Sequence, residues 1–191
     1  MFADYRGFDS RYFEDGFQGS YVNYPPGRID YSAFGETVAD VTGQSKVLVA
    51  GCGTGLTIHW MRQHIDRVFG VDISDWAMEN VDNRIRDYVY QGDVRDPDMY
   101  GDIAQDAQGP PRWDGIYSEF LLSHFTDETA KDVYDLIRQN ADEIVVHRIW
   151  SGTGHEWEKD MFNLKTIAEW RQLVGDHADV EWIDYDGGST I

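Results

Sequence analysis

Three glycines at alternate positions, Gly51, Gly53 and Gly55, follow the apolar stretch VLVA and precede a segment with helical spacing. A strand-to-helix turn of this kind needs residues with positive φ angles, and it lets a ligand approach the main chain. Glycine permits both. A dinucleotide-binding fingerprint would require glycine where the chain has Leu56, and no Gly-Lys-Ser/Thr follows to make a phosphate-binding loop. The run predicts a ligand-binding turn, with a ligand-free tight turn as the alternative.

Two carboxylates follow the next apolar runs. Asp72 ends the run RVFGVDI, where its oxygens can accept hydrogen bonds from two ribose hydroxyls. Its alternative role is to cap the following helix, which Ser74 and Asp75 could share. Asp93 follows VYQG at a position suited to the exocyclic amine of an adenine, although Gly-Asp is also common in ordinary turns.

A proton acceptor could come from the histidines. His155 lies in the loop SGTGHEWEKD after the predicted fifth strand, on the ligand side by topology. It is the best candidate for a catalytic base that contacts the substrate, and an exposed loop histidine is the alternative. His59 and His64 are predicted to be surface or packing residues, and His124 to be structural. No pair or triad has metal-ligand spacing, so no metal is expected.

The elements that must position these residues alternate between short apolar runs and amphipathic stretches. This alternation predicts an α/β fold with a doubly wound, mostly parallel sheet, in which ligands bind at the carboxyl ends of the strands. We expect one domain over residues 1–191, made of an aromatic-rich N-terminal arm or lid (1–36) and an α/β core (37–191). The arm carries ten aromatic residues, which we expect to pack on the core or to cover a pocket.

The charge balance is strongly acidic, with a net charge of -19 from 35 acidic and 16 basic residues. This balance argues against nucleic acid as a partner, because a phosphate backbone attracts a stripe of Lys and Arg. The acidic charge suits high salt, because salt screens the repulsion between the negative charges of the protein. The sequence lacks both an apolar run of about 20 residues and a secretory signal, so we expect a cytoplasmic protein that does not enter a membrane.

In their order along the chain, the glycine run, Asp72, Asp93 and the segment WDGIYSEFLLSHF resemble the class I S-adenosylmethionine-dependent methyltransferases. The resemblance covers about residues 40–150, and VDISDWAMENV is especially similar to the segment after the second strand of that family. The N-terminal RYFEDGFQGSYVNY is similar to the start of some small-molecule and sugar-associated members. The resemblance implies a Rossmann-like fold and S-adenosylmethionine as the cofactor.

The resemblance also implies roles for individual residues. The glycine run would wrap the methionine part of the cofactor, Asp72 would hold the ribose, and Ser118 would line the pocket below the sulfonium. The adenine would lie between Ile73 and Trp76, with its amine against the turn after the third strand. The implied cofactor-binding set is Gly51, Cys52, Gly53, Thr54, Gly55, Asp72, Ile73, Trp76, Gly92, Asp93, Val94 and Ser118.

The sequence departs from the family in two places. The family has an acidic residue two positions before the first glycine, where this chain has Val49. The family also ends in an antiparallel strand pair, for which little chain remains after residue 185, so we expect a shortened pair or one completed by a partner.

The predicted function is methyl transfer from S-adenosylmethionine to an oxygen or nitrogen nucleophile of a small molecule. The alternatives are an enzyme that cleaves the cofactor without an acceptor, and a non-catalytic protein that binds it. The sequence does not indicate the oligomeric state.

Overall fold

The computed structural model describes residues 46–107, 110–150, 165–175, 184–185 and 189–190. Its strands are β1 (Val47–Ala50), β2 (Val68–Asp72), β3 (Val89–Gln91), β4 (Trp113–Glu119), β5 (Ala141–Trp150), β6 (Asp184–Tyr185) and β7 (Ser189–Thr190). They form one sheet in the order β3-β2-β1-β4-β5-β7-β6. The first five strands pair in parallel, whereas β7 pairs antiparallel with β5 and β6. The predicted parallel sheet with a short C-terminal strand pair is confirmed.

The helices of the described residues are α1 (Leu56–Met61), α2 (Asp75–Glu79), α3 (Pro97–Asp106), α4 (Asp127–Asn140) and α5 (Ile167–Val174). Short 3-10 helices cover Arg86–Tyr88 and Leu121–His124. The amphipathic stretch 74–87 predicts a longer helix than α2, which covers only Asp75–Glu79. No helix was predicted over α3, although Asp96 caps its N-terminus and Pro97 occupies its first turn.

Alternate residues of the strands face two separate helix layers, which is what makes the fold doubly wound. Leu48 and Ala50 of β1 belong to an apolar cluster with α3, α4 and α5. Val47 and Val49 belong to a second cluster that includes Ile58 of α1. Both faces of β1 are therefore buried, as its uninterrupted apolar sequence requires in a parallel sheet.

Several predictions from the sequence fall on residues outside the described ranges. These include the aromatic arm, residues 1–36, and the loop that carries His155. Within the described ranges, no helix is long and apolar enough to cross a membrane.

Two glycines offer a test of how closely the layers pack. Gly70 lies in the middle of β2, beside Val49, and a Cβ atom there would lie 2.2 Å from Cδ1 of Ile58 and 2.9 Å from Cβ of Cys52. Gly101 lies in α3, and a Cβ atom there would meet nothing within 4 Å.

We expect Gly70→Ala to lower the free energy of unfolding by about 1 to 3 kcal/mol, because the methyl group overpacks the core. The matched change Gly101→Ala should raise it by about 0.5 to 1 kcal/mol, because alanine loses less entropy in a helix. Urea unfolding of both variants measures these changes. Equal effects of the two substitutions would contradict the packing at Gly70.

Candidate functional site

The carboxyl ends of four parallel strands meet at one edge of the sheet. Ala50, the last residue of β1, pairs with Val71 of β2 and with Ser118 of β4. Asp72 pairs with Gln91, the last residue of β3. The turns that follow these strands are therefore neighbours, and the four segments singled out in the sequence come together at this edge.

The glycine turn, residues 51–55, joins β1 to α1. Gly51, Gly53 and Gly55 have φ angles of 70°, 54° and 85°, a region that other residues rarely adopt. The N–H groups of Gly51 and Cys52 both donate to the carbonyl of Val71, at 2.9 and 3.0 Å. The turn is thus tied to the end of β2, and its glycines have no side chains to separate the backbone from a ligand.

The carboxylate of Asp72 joins two turns. Oδ2 accepts a hydrogen bond of 2.8 Å from the N–H of Gly53, and Oδ1 accepts one of 2.9 Å from the N–H of Ser74. The hydroxyl of Ser74 then caps α2 by accepting from the N–H of Ala77. Asp72 therefore holds the glycine turn. The helix cap, which was the alternative role of Asp72, is made by Ser74 instead.

Burial changes the acid–base behaviour of this corner. Burial raises the pKa of Asp72 above its ordinary value, although hydrogen bonds from the backbone N–H groups of Ser74, Gly53 and Ile73 act to lower it. Burial, with the nearby charge of Asp72, also raises the pKa of the Cys52 thiol well above its ordinary value. Cys52 is consequently a buried, protonated thiol at neutral pH, and its small size suits it to the turn.

The turn after β3 is held by a forked ion pair. Arg95 Nε lies 2.8 and 3.0 Å from the two carboxylate oxygens of Asp93, and Nη2 lies 2.6 Å from Oδ2. Partial burial acts to raise the pKa of Asp93, but the hydrogen bonds and charge of Arg95 outweigh it and the pKa lies below its ordinary value. Gly92 donates its N–H to the carbonyl of Asp72, and Val94 is buried. Asp93 is therefore ionised and already bonded to Arg95.

Ile73 and Trp76 lie in and just after the turn from β2 to α2, and both are half-buried. The next turn along the edge is linked to this one, because Nε2 of Gln91 donates to Oδ1 of Asp75 at 2.5 Å. The structure thus places Trp76 beside the Asp72 turn, where its role beside an adenine remains a prediction.

Ser118 is buried at the end of β4, and its hydroxyl lies 2.7 Å from Nδ1 of His147 on β5. The ring of His147 packs against Tyr134 of α4 with centroids 5.2 Å apart. Burial, with a smaller effect of Arg138, lowers the pKa of His147 to about 4. His147 is therefore neutral at pH 7. Its other ring nitrogen, Nε2, is enclosed and has no hydrogen-bond partner among the described residues.

The sequence interpretation gave His147 no role. No local pattern could assign one, because the contact with Ser118 depends on the register between β4 and β5. The pairing also turns the Ser118 hydroxyl toward His147. Its expected place below the sulfonium remains a prediction.

The chain after β4 is strained where it meets the glycine turn. Phe120 has a φ of 55°, the one positive φ of a residue other than glycine in the described ranges. The Leu121 side chain then packs over Gly51, so closely that a Cβ atom on Gly51 would lie 2.9 Å from Leu121 Cδ1. Strained backbone of this kind is concentrated at functional sites, and here it accompanies the close contact of two edge turns.

The remaining predicted residues are placed as follows. Thr54 lies in the glycine turn and is half-buried, and His59 is half-buried on α1. His64 is exposed, while His124 is buried at the end of a 3-10 helix. His155 lies outside the described residues. In the ranges that the structure describes, no three His, Cys, Asp or Glu side chains are grouped so that they could hold a metal ion.

The pair of Ser118 and His147 predicts a pH dependence of stability. The folded protein lowers the pKa of His147 to about 4, below the value of about 6.5 expected for the unfolded chain. The resulting stabilisation is complete above pH 6.5 and is lost as the pH falls toward 4.

His147→Asn keeps a polar atom near Nδ1 but does not titrate. We expect its free energy of unfolding to fall by about 1 to 3 kcal/mol less between pH 7 and pH 5 than that of the wild type. Urea unfolding at pH 7 and pH 5 measures it, with His64→Asn at an exposed position as the control. The prediction fails if the two variants and the wild type lose stability in parallel on acidification.

Comparison with known proteins identifies the domain. Residues 47–141, from the start of β1 to the start of β5, match the family described as a methyltransferase domain. The matched segment contains every turn of the edge described above. No curated protein sequence matches this chain.

Solved structures share the fold at low sequence identity. Magnesium protoporphyrin IX methyltransferase from Synechocystis, with bound S-adenosylmethionine, is 15% identical, with 85% of this chain and 77% of that chain covered and a TM-score of 0.56. An amino pentose methyltransferase from Micromonospora echinaspora is 16% identical, with 77% and 60% covered and a TM-score of 0.55. The PH0226 protein of Pyrococcus horikoshii is 15% identical, with 92% and 97% covered and a TM-score of 0.62.

This chain spans 52% of the length of two other structures that it matches, so a large part of those proteins has no counterpart here. The sequence match and the shared sheet lead to one family: residues 47–141 belong to the methyltransferase-domain family, and the sheet has the fold of S-adenosylmethionine-dependent methyltransferases.

Proposed function

We propose that this protein transfers the methyl group of S-adenosylmethionine to a nitrogen or oxygen atom of a small molecule. The observation that carries the proposal is the glycine turn at the carboxyl end of β1, bonded through Gly53 to the carboxylate of Asp72. Two structures with the same fold are named as methyltransferases of a magnesium porphyrin and of an amino pentose, which supports a small-molecule acceptor.

The residues at the edge fit the chemical parts of this cofactor. A turn of three glycines suits the methionine part, because the main chain can be approached closely. A carboxylate at the end of β2 suits ribose hydroxyls, and Trp76 offers an aromatic face to the adenine. We propose that the whole predicted set binds the cofactor: Gly51, Cys52, Gly53, Thr54, Gly55, Asp72, Ile73, Trp76, Gly92, Asp93, Val94 and Ser118.

Bound S-adenosylmethionine would supply an activated methyl group, whose bond to sulfur breaks as the acceptor atom attacks the methyl carbon in line. The protein's tasks are then to align the acceptor, exclude water and accept a proton where the acceptor carries one. His147 does not suit the last task, since burial holds its pKa at about 4. We propose His155, in the segment that follows β5, as the base.

Titration calorimetry with S-adenosylmethionine and S-adenosylhomocysteine, with NAD as the control, tests the cofactor at low and molar salt. Product analysis over a panel of amines and alcohols then tests the reaction. S-adenosylhomocysteine as product supports methyl transfer, whereas methylthioadenosine or a lactone identifies cleavage of the cofactor without an acceptor. Tight binding without turnover identifies a binding protein, an outcome that the apolar residue Val49 makes worth testing. Absence of binding at either salt concentration would overturn the proposal.

Replacement of Trp76 tests the adenine end of the site. We expect Trp76→Ala to weaken binding of S-adenosylhomocysteine by about 1 to 3 kcal/mol, the usual range for loss of stacking between a base and an aromatic ring. Trp60→Ala is the matched control, because Trp60 is also half-buried but lies near the far end of α1. Equal losses in the two variants, measured by calorimetry, would argue against an adenine site at Trp76.

Replacement of His155 tests the proposed base. We expect His155→Gln to lower kcat for a hydroxyl acceptor by about 100-fold or more, the usual contribution of a general base, while cofactor binding is retained. The exposed His64→Gln provides the control for a general effect of losing a histidine. Unchanged turnover in His155→Gln, measured by S-adenosylhomocysteine release, would eliminate His155 as the base.

A further inference from the structure

The glycine turn is held in place by few bonds. Its three glycines adopt positive φ angles, and such residues have the largest conformational freedom to lose. The N–H groups of Gly51 and Cys52 are fixed by the carbonyl of Val71, and that of Gly55 by the carbonyl of Cys52. The middle glycine, Gly53, is fixed from outside the turn, by the carboxylate of Asp72.

Within the described residues, no other side chain accepts a hydrogen bond from the backbone of this turn. Val49, the nearest residue of β1 on the α1 side of the sheet, is buried in an apolar cluster, and its side chain has no acceptor atom. Asp72 is 19 residues away along the chain. The bond is therefore a tertiary contact, made possible because β1 and β2 are paired up to Ala50 and Val71.

The second oxygen of Asp72 holds the neighbouring turn by accepting from the N–H of Ser74. One carboxylate therefore connects both turns that face the proposed cofactor. These hydrogen bonds are partly buried, and hydrogen bonds to a carboxylate are stronger than those between neutral groups. A carboxylate has about four acceptor positions, and the N–H groups of Gly53 and Ser74 each use one oxygen. The other positions remain for hydroxyls of a ligand.

We propose that Asp72 is a positioning residue that fixes the glycine turn and the turn after β2 in their binding geometry before the cofactor arrives. This inference rests on the proposed function for the identity of the ligand, but the geometry that it describes exists without one. The side chain contributes to binding by holding Gly53 and Ser74, and its remaining acceptor positions can receive ribose hydroxyls.

Amide hydrogen exchange on the cofactor-free protein tests the proposal directly. In Asp72→Ala the N–H groups of Gly53 and Ser74 should exchange at least tenfold faster than in the wild type, while Leu48 and Ile116 in the central strands stay protected. In Asp72→Asn, which is nearly isosteric, one amide oxygen replaces two carboxylate oxygens. At least one of the two N–H groups should therefore lose protection.

The control is Asp75→Ala, which removes an exposed carboxylate of the same turn whose described contact is with Gln91. Exchange at Gly53 should not change in this variant. Unchanged exchange at both Gly53 and Ser74 in folded Asp72→Asn would overturn the proposal. If Asp72→Ala does not fold, Asp72→Asn alone decides the outcome.

Kinetics separate positioning from a general loss of structure. In Asp72→Asn, KM for S-adenosylmethionine should rise at least tenfold while kcat at saturating cofactor changes less than threefold. A fall in kcat with unchanged KM would mean that the variant only reduces the fraction of active protein, which overturns the proposal. Faster exchange at Gly53 without any cofactor binding in the wild type would leave Asp72's role intact and refute the proposed function instead.

Discussion

The half-buried carboxylate of Asp72 is the group on which the edge of the sheet depends. Burying a charge is costly unless hydrogen bonds compensate it, and here the compensating donors are backbone N–H groups of two different turns. The rise in the pKa of Asp72 shows that burial outweighs these bonds. The carboxylate is thus kept at this position at an energetic cost, as is common for groups that serve a binding site.

The position of that carboxylate depends in turn on close packing below the edge. Gly70 has no side chain, so Cys52 and Ile58 can approach β2 from the α1 side. A larger residue at Gly70 would push the glycine turn and α1 away from the strand that ends in Asp72. The hydrogen bond between Asp72 and Gly53 therefore depends on the absence of a single methyl group two residues earlier in the same strand.

The sequence predicted the parts of this structure that follow from local patterns. Uninterrupted apolar runs identified the parallel strands, and glycine spacing identified the turn after β1, because both depend on residues close in sequence. Helix α3 was overlooked even though a capping aspartate followed by Pro97 marks its start.

The bond of Ser118 with His147 could not be foreseen, because it requires the register of β4 with β5. The pairing of Asp93 with Arg95 spans two residues, but whether it forms depends on the shape of that turn.

The contacts at this edge also determine which tasks its side chains can perform. Asp72, Asp93 and Ser118 are each engaged with a partner in the protein, through Gly53, Arg95 and His147. Side chains fixed in this way present rigid surfaces and oriented oxygen atoms, which serve binding and alignment. Asp93 and the Ser118–His147 pair are poor proton acceptors, because the Asp93 carboxylate is held by an arginine and the pKa of His147 is about 4. The strand ends at this edge would thus form the frame of the proposed cofactor site. An acceptor that must lose a proton would then take its base from a group other than Asp93 and His147, or bind in its neutral, nucleophilic form.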